Sequence, residues 1–136
     1  MGIFSYKFKV NKEAIDINNH ANNAYYLIWM QEAAMAHSNF VGDTFNEQLK
    51  NSSTWVIKRN EIDYLEQIYL DDDIEIKTWT KQIRKVSSNR FYEFIKDDKI
   101  VAKAITTYVY FDLDKNRPKA IPQELRKLYG EEDREI

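Results

Sequence analysis

A polar stretch over residues 11–22 carries the side chains with the clearest chemical potential. Residues 14–26, which begin within this stretch, supply one carboxylate (Asp16), one imidazole (His20) and several amides, among them those of Asn18, Asn22 and Asn23. An apolar segment that predicts a helix follows directly, and the free N–H groups in a helix's first turn can hold a carbonyl oxygen that gains negative charge. Asp16 could then act as a nucleophile or as a general base on water. The same residue types commonly satisfy loops and cap helices, and residue type alone favours that structural interpretation.

One long helix is predicted after this stretch, over residues 24–39. Its Ala, Leu, Met, Gln and Glu content favours a helix, Asn22 or Asn23 can cap its start, and Gly42 can help to end it. Apolar side chains at residues 25–30 point in nearly every direction around the axis, which is typical of a helix buried on most sides. A sheet that wraps around the helix would provide that burial.

Most of the remaining chain is predicted to be strand, because apolar and polar residues alternate. The predicted strands cover residues 1–10, 55–65, 74–84, 89–96 and 100–112. Turns at residues 71–73 and 96–99 are short, which favours antiparallel neighbours. Residues 43–53 are predicted to be irregular, and residues 121–129 to form a short helix with Pro122 near its first turn. The sequence therefore predicts an α+β fold, with an antiparallel sheet around one central helix.

Composition narrows the class of function. The 136 residues suit a single domain over residues 1–136, and a net charge of −2 offers no general attraction to nucleic acid or to an anionic membrane. No apolar run approaches the roughly 20 residues of a membrane-spanning helix, and the cytoplasm is the expected location. The absence of cysteine excludes disulfides, thiolate nucleophiles and sulfur-ligated zinc. Two histidines and three separated glycines show neither metal-site spacing nor a phosphate-binding loop, so no metal and no cofactor are expected.

Residues 14–26 read A-I-D-I-N-N-H-A-N-N-A-Y-Y and lead into the apolar helix. They resemble the pattern D-x-D-x-x-x-H-V-N-N-x-x-Y of hotdog thioesterases in the 4-hydroxybenzoyl-CoA thioesterase-like family, and are also similar to the acyl-ACP thioesterases of plants. The residues at the pattern's positions are Ala14, Asp16, His20, Ala21, Asn22, Asn23 and Tyr26, followed by Trp29 and Glu32, and further matches follow at residues 61–64, 73, 117–118 and 121–122. Ala14 replaces the family's first acid and Ala21 replaces its valine. The family's catalytic carboxylate corresponds to Asp16.

The resemblance implies a hotdog fold and hydrolysis of an acyl thioester of coenzyme A or of acyl carrier protein. Asp16 would be the catalytic carboxylate, and the backbone N–H of Asn23 would polarise the thioester carbonyl. Asn18 would orient the carboxylate, while His20 would either support proton transfer or hold the loop through a hydrogen bond. Family members usually form homodimers, often paired into homotetramers, with the acyl chain between subunits.

Three residues of the predicted helix, Tyr26, Trp29 and Met30, are candidate walls of the acyl tunnel under this resemblance. Aromatic and Met side chains at helical spacing also make ordinary core, so both interpretations stay open. Two other functions stay open as well. One is a non-catalytic module that binds acyl thioesters, and the other is a hotdog dehydratase or hydratase.

A short polar segment between two predicted strands is the candidate site for the anionic pantetheine-nucleotide arm of the substrate. It offers cations and hydroxyls, from Arg84, Lys85, Ser87, Ser88 and Arg90. A solvated turn between two strands accounts for these residue types nearly as well.

Overall fold

The computed structural model describes residues 2–130 as a curled antiparallel sheet with a long helix packed against it. In chain order the elements are β1 (Phe4–Lys9), a 3₁₀ turn (Lys12–Ala14), α1 (Asn23–Val41), α2 (Phe45–Lys50), β2 (Ser53–Tyr64), β3 (Asp73–Lys81), β4 (Ser87–Lys96), β5 (Lys99–Asp112), β6 (Arg117–Pro118) and α3 (Gln123–Leu128). The strands lie in the order β1-β3-β4-β5-β2, and β6 pairs with β5. Met1 and residues 131–136, which the predicted first strand and the predicted domain include, lie outside the described residues. The predicted α+β class is confirmed.

Helix α1 forms where the sequence predicts it and extends two residues further at its C-terminal end. Asn22 is the N-cap, and its Oδ1 accepts a hydrogen bond from the backbone N–H of Ala24 at 2.9 Å. Gly42 ends the helix in the left-handed conformation, with φ of 102°, which a residue without Cβ adopts at little cost. Both predicted end signals are therefore used.

The prediction that α1 is buried on most sides is wrong for the isolated chain. One face packs on the sheet, but the opposite face leaves Leu27 37%, Ile28 41% and Met35 63% exposed. A single sheet can cover only one side of a helix, so the apolar residues on its other side stay uncovered. An exposed apolar stripe of this kind is typical of a surface that another molecule covers.

The order of the strands departs from the prediction for the turn at residues 71–73. β2 and β3 are not antiparallel neighbours, because β2 forms one edge and pairs with β5, whereas β3 lies between β1 and β4. Residues 65–72 carry the chain across the sheet, and turn-forming aspartates do not reveal which strand comes next. The predicted link between β4 and β5 is a tight hairpin, with Asp97 and Asp98 both at positive φ.

Residues 43–53, predicted to be irregular, contain the short helix α2. Thr44 caps this helix, and its Oγ1 accepts a hydrogen bond from the backbone N–H of Glu47 at 3.2 Å. The prediction was wrong because a helix this short shows no clear hydrophobic period, so the local cap decides. The short helix predicted within residues 121–129 is confirmed as α3, with Pro122 directly before its first residue.

Two clusters of buried apolar side chains form the core of the fold. The larger surrounds the N-terminal half of α1 and includes Tyr26, Trp29, Met30, Ala33, Ile74, Ile76, Tyr92 and Phe94. The smaller holds α3 against the sheet and consists of Ile83, Tyr110, Ile121, Leu125 and Tyr129. Within residues 2–130, no helix is both long and apolar enough to cross a membrane.

Candidate active site

The loop that carries Asp16 is closed on itself directly before α1. Ile15 and Ala21 form an antiparallel bridge, and the backbone N–H of Asp16 donates to the carbonyl oxygen of His20 at 2.8 Å. One residue further along, the N–H of Asn22 donates to the carbonyl oxygen of Ala14 at 2.7 Å. These bonds hold Asp16 beside the residues that begin the helix.

The two carboxylate oxygens of Asp16 differ in their surroundings. Oδ1 accepts hydrogen bonds from the backbone N–H groups of Asn18 at 2.9 Å and His20 at 3.1 Å. Oδ2 has no hydrogen-bond partner among residues 2–130, and the side chain is half-buried. One oxygen therefore stabilises the loop, as the structural interpretation predicts, while the other is available for chemistry.

The start of α1 has one backbone donor that the protein does not use. The N–H of Ala24 donates to Oδ1 of Asn22, and the N–H of Tyr25 donates to the carbonyl oxygen of Asn22 at 2.9 Å. The N–H of Asn23 has no acceptor in the described part of the chain. This donor lies at the positive end of a 19-residue helix, where a developing negative charge is stabilised.

Asn18 and His20 contact Asp16 through their backbones. The side chain of Asn18 is exposed, so the orientation of the carboxylate that the resemblance assigns to Asn18 comes from its N–H. The His20 ring packs edge-on against Tyr69, with ring centroids 5.5 Å apart. Neither ring nitrogen of His20 has a hydrogen-bond partner in residues 2–130, so the choice between proton transfer and a structural role stays a prediction.

The segment before β3 supports this loop from the side. The N–H of Ala21 donates to the carbonyl oxygen of Ile68 at 2.8 Å. Asp72 accepts the backbone N–H of Tyr69 at 2.7 Å and forms a partly buried ion pair with Lys96 at 2.9 Å. The Lys96 ammonium also lies 5.1 Å from the centre of the Tyr69 ring, which adds a cation–π contact. Tyr69 and Lys96 thus fix the surface against which His20 packs, and no sequence pattern pointed to them.

The three predicted wall residues lie in the core. Tyr26, Trp29 and Met30 are each at most 5% exposed and pack in the larger apolar cluster. Burial, with the nearby Tyr64 hydroxyl, raises the pKa of Tyr26 to about 12, so it stays a neutral phenol. Their contact with an acyl chain stays a prediction.

The structure divides the predicted segment for the anionic arm. Arg84 and Lys85 are exposed on the turn between β3 and β4, whereas Ser88 and Arg90 are buried on the inner face of β4. Ser87 is half-buried and accepts the N–H of Arg84 through its carbonyl oxygen at 2.8 Å. The five residues therefore form neither a single solvated turn nor a single basic patch.

Within one chain this segment lies far from Asp16. The turn is tied to α3, because Nη2 of Arg126 donates to the carbonyl oxygen of Arg84 at 2.7 Å. Tyr129, directly after α3, is in turn hydrogen-bonded to Ser38 at 2.7 Å. Ser38 lies about 22 Å along α1 from Asn23, at the helical rise of about 1.5 Å per residue. The exposed cations and the Asp16 loop are thus at opposite ends of the helix.

A cavity of about 500 Å³ opens at this second end. Its walls come from the C-terminal half of α1, from the inner face of the sheet and from α3, and include Ala34, Met35, Phe45, Trp55, Ile83, Tyr108, Ile121, Leu125 and Tyr129. Polar side chains also line it, among them Asp43, Thr80, Ser88 and Arg90. The alternation of residues in β4 could have predicted that Ser88 and Arg90 point inward, because both are in phase with the buried Tyr92 and Phe94.

Two of the buried charges in the cavity wall, those of Arg90 and Asp43, have neutral hydrogen-bond partners. Arg90 is 4% exposed, and its Nη1 contacts Nδ1 of His37 at 2.9 Å and Oγ1 of Thr78 at 3.0 Å. Since arginine can only donate, Nδ1 of His37 is the acceptor and the imidazole is neutral. Burial, assisted by the Arg90 charge, lowers the pKa of His37 to about 4.

Asp43 is the second of these two residues, at 5% exposure. Its Oδ2 accepts hydrogen bonds from Nε1 of Trp55 at 2.9 Å and from the hydroxyl of Tyr129 at 2.7 Å. Burial and the Asp43 carboxylate both raise the pKa of the Tyr129 hydroxyl well above its ordinary value. Tyr129 therefore stays protonated and donates to Asp43.

Known proteins resemble this chain in overall sequence and in fold. The model of the thioesterase-like superfamily matches residues 10–128. The chain is 26% identical over 126 residues to the long-chain acyl-CoA thioesterase FadM of Escherichia coli (strain K12). The aligned region covers 89% of this chain and 92% of FadM.

Two solved structures illustrate the likeness in fold. SAV2348 from Staphylococcus aureus, solved in complex with CoA, has a TM-score of 0.88 at 18% identity, covering 98% of this chain and 88% of that one. The 1,4-dihydroxy-2-naphthoyl-CoA thioesterase Slr0204 from Synechocystis has a TM-score of 0.85 at 15% identity, covering 93% and 95%.

These matches confirm the hotdog fold and the enzyme class, a thioester hydrolase, that the resemblance implied. The chain belongs to the thioesterase-like superfamily.

Proposed function

We propose that this protein hydrolyses an acyl thioester of coenzyme A at the N-terminus of α1, with Asp16 as the catalytic carboxylate. One observation carries the assignment. The free Oδ2 of Asp16 and the unused N–H of Asn23 belong to one closed loop and the helix start that follows it. FadM, a relative over most of its length, is an acyl-CoA thioesterase, and SAV2348 was solved with CoA. Both names favour coenzyme A over acyl carrier protein.

The chemistry follows from the two free groups. The thioester carbonyl oxygen accepts a hydrogen bond from the N–H of Asn23, and that bond strengthens as the oxygen becomes an oxyanion. In one route Oδ2 of Asp16 attacks the carbonyl carbon, the C–S bond breaks, coenzyme A leaves as a thiolate, and water cleaves the resulting anhydride. In the other route Oδ2 takes a proton from water while the water oxygen attacks the carbonyl carbon; the C–S bond then breaks, and Asp16 gives the proton to the departing thiolate. Both routes end with a free acid, a thiol and an ionised Asp16.

The proposed active form is a homodimer joined along β2. Two such dimers would pair to form a homotetramer. β2 is a 12-residue edge strand, and Val56 and Ile57 on it are 41% and 39% exposed. A two-fold axis through this edge sets the two α1 helices antiparallel, with their exposed Leu27 and Ile28 faces covered. The Asp16 loop of one copy then lies toward the second end of the other copy's helix. This arrangement also brings the exposed cations of the turn between β3 and β4 toward a substrate at Asp16.

The test is thiol release from a series of saturated acyl-CoAs of increasing length, compared with the variant Asp16→Asn. Asparagine keeps an Oδ1 that accepts both loop hydrogen bonds, so the substitution removes the charge and preserves the loop. General base or nucleophilic catalysis is typically worth about 10²- to 10⁴-fold, and we expect a loss of kcat in that range. Asp114→Asn, on the exposed turn after β5, is the matched control and should keep full activity.

Other outcomes would change the assignment. Wild-type protein that cleaves no acyl-CoA, or Asp16→Asn protein with wild-type kcat, would remove Asp16 from the mechanism. Acyl-CoA that stays bound and intact would favour the non-catalytic binding module. Hydration of crotonyl-CoA at a rate above that of thiol release would favour the hydratase.

A further inference from the structure

We propose that the cavity at the C-terminal half of α1 binds a carboxylate carried on an apolar chain, with Arg90 as the anchor for the carboxylate. The site goes beyond the thioester chemistry at Asp16, because it lies at the opposite end of the helix in the same chain. Two sources fit this ligand chemistry: a free carboxylic acid, or an acyl thioester whose acyl group ends in a second carboxylate.

Arg90 is a buried cation without an anionic partner. It forms no ion pair with any carboxylate of residues 2–130, although a guanidinium is always charged. A buried charge is costly unless it is paired, and buried arginines are usually matched by a carboxylate or a phosphate. The unmatched charge therefore points to an anion that residues 2–130 do not supply.

The unused edge of the guanidinium has the geometry for a carboxylate. Both contacts of Arg90 with His37 and Thr78 use Nη1, and Nε and Nη2 have no partner in the described residues. Nε and Nη2 form one side of the planar fork, which binds the two oxygens of a carboxylate through parallel hydrogen bonds. Arg90 lines the cavity, whereas His37 and Thr78 do not. The free edge is thus the one that a ligand in the cavity can reach.

Thr80 supplies a second polar group at the same place. It is the cross-strand partner of Arg90 in the β3–β4 ladder, so their side chains are neighbours on the inner face. Its Oγ1 is buried and has no hydrogen-bond partner within residues 2–130. A buried hydroxyl without a partner costs free energy, and a carboxylate on Arg90 would accept from it.

The rest of the cavity suits an apolar body. Its volume of about 500 Å³ lies within the range of small-molecule sites, about 300–1,000 Å³. Ala34, Met35 and Leu125 line it together with aromatic side chains from β2, β5 and α2. Along α1 the lining extends from Gln31 to Asn39, about 12 Å of helix at about 1.5 Å per residue.

Asp43 limits where the anion can bind. Its carboxylate also lines the cavity, but Trp55 and Tyr129 donate to it and disperse its charge. The Tyr129 side chain contacts both groups: its hydroxyl donates to Asp43, and its ring centre lies 5.7 Å from the Arg90 guanidinium. A carboxylate on the free edge of Arg90 is attracted by the cation that it contacts, whereas an anion placed beside Asp43 is repelled.

The experiment compares dodecanoate with its methyl ester, by competition against a fluorescent fatty acid. Two charge-assisted hydrogen bonds should give the wild-type protein at least about a tenfold preference for the acid. Arg90→Met keeps an apolar stem of similar length, and should lose the preference while binding the ester as before. Thr80→Val removes a hydroxyl without a hydrogen-bond partner among residues 2–130, so it should fold at least as well as wild type and bind the acid several-fold more weakly.

Equal affinities for acid and ester in the wild-type protein would overturn the proposal, whether or not Arg90→Met folds. Retention of the acid preference in Arg90→Met would overturn it as well.

A second measurement distinguishes the two sources, and this one rests on the proposed function. Cleavage of an acyl-CoA with a terminal carboxylate is compared with cleavage of the unsubstituted acyl-CoA of equal length. A higher kcat/KM for the first in wild type, lost in Arg90→Met, assigns the cavity to the acyl group of the substrate. Equal kcat/KM values for the two acyl-CoAs, together with retained dodecanoate binding, assign the cavity to free acids. If no thioester is cleaved, the proposed function fails, while the binding result stands independently.

Discussion

His37 makes the stability of this protein sensitive to mild acid. The imidazole is 2% exposed, and among residues 2–130 the charged and titratable groups that contact it are the Arg90 guanidinium on β4 and the Tyr129 ring after α3. Phe4 on β1 stacks on its remaining face, with ring centroids 5.0 Å apart. A protonated His37 would be a charge buried away from water and repelled by the Arg90 guanidinium. Protonation would also remove the acceptor that Nδ1 provides for Arg90.

The sign and size of this effect of pH on stability follow from the pKa values of His37 in the unfolded and folded chain. Folding lowers the pKa of His37 from 6.5 to about 4. Between these two pH values, His37 is therefore mostly protonated in the unfolded chain and mostly neutral in the folded chain. The stabilising contribution is fully present above pH 6.5, and it is lost as the pH falls toward 4. At 1.36 kcal/mol per pKa unit, the upper limit of this loss is about 3 kcal/mol.

The assay is urea unfolding of wild type and of His37→Asn at several pH values between 7.5 and 4.5. Asparagine keeps an acceptor close to the position of Nδ1 and cannot titrate, so the variant retains a partner for Arg90. It should be less stable than wild type at neutral pH, because the Phe4 stack is lost. The free energy of unfolding of wild type should fall more steeply with acid than that of the variant. Parallel slopes for the two proteins would refute the reasoning.

Two further predictions concern the same end of the molecule and can be checked by urea or thermal unfolding. Tyr129→Phe removes one of the donors to the buried Asp43 carboxylate, so we expect a loss of about 1–3 kcal/mol; an unchanged midpoint would mean that water replaces the hydroxyl at no cost. Gly42→Ala should cost about 1 kcal/mol, because the left-handed conformation of this helix end disfavours any Cβ, while the added methyl meets no atom within 4 Å. A larger loss would show a steric contact instead.

The helix and the loop before it were the most predictable parts of the molecule. Polar Asn22 at one end of an apolar run and Gly42 at the other are local signals, and both act locally in the structure. Asp16 illustrates how sequence can leave two roles open. Its Oδ1 serves the loop and its Oδ2 is free, so the structural and the chemical interpretation describe different atoms of one side chain.

Long-range features could not be read from local patterns. The crossover after β2 depends on which strands pair, and Asp71 to Asp73 would look the same in a hairpin. The burial of Arg90 illustrates a different limit, because its residue type predicts exposure while its phase in β4 predicts an inward direction. Only the structure shows that His37, from the C-terminal half of α1, accepts a hydrogen bond from this guanidinium inside the fold.

Helix α3 connects local unfolding to the accessibility of the cavity. Six residues are far too few for an independently stable helix in water, so α3 exists because Leu125 packs in the smaller apolar cluster and Arg126 bonds to the turn after β3. Leu125 and Tyr129 are also part of the cavity wall. Each transient unfolding of α3 therefore opens that wall, and the hydrogen-exchange rates of its backbone amides measure how often a large ligand can enter or leave.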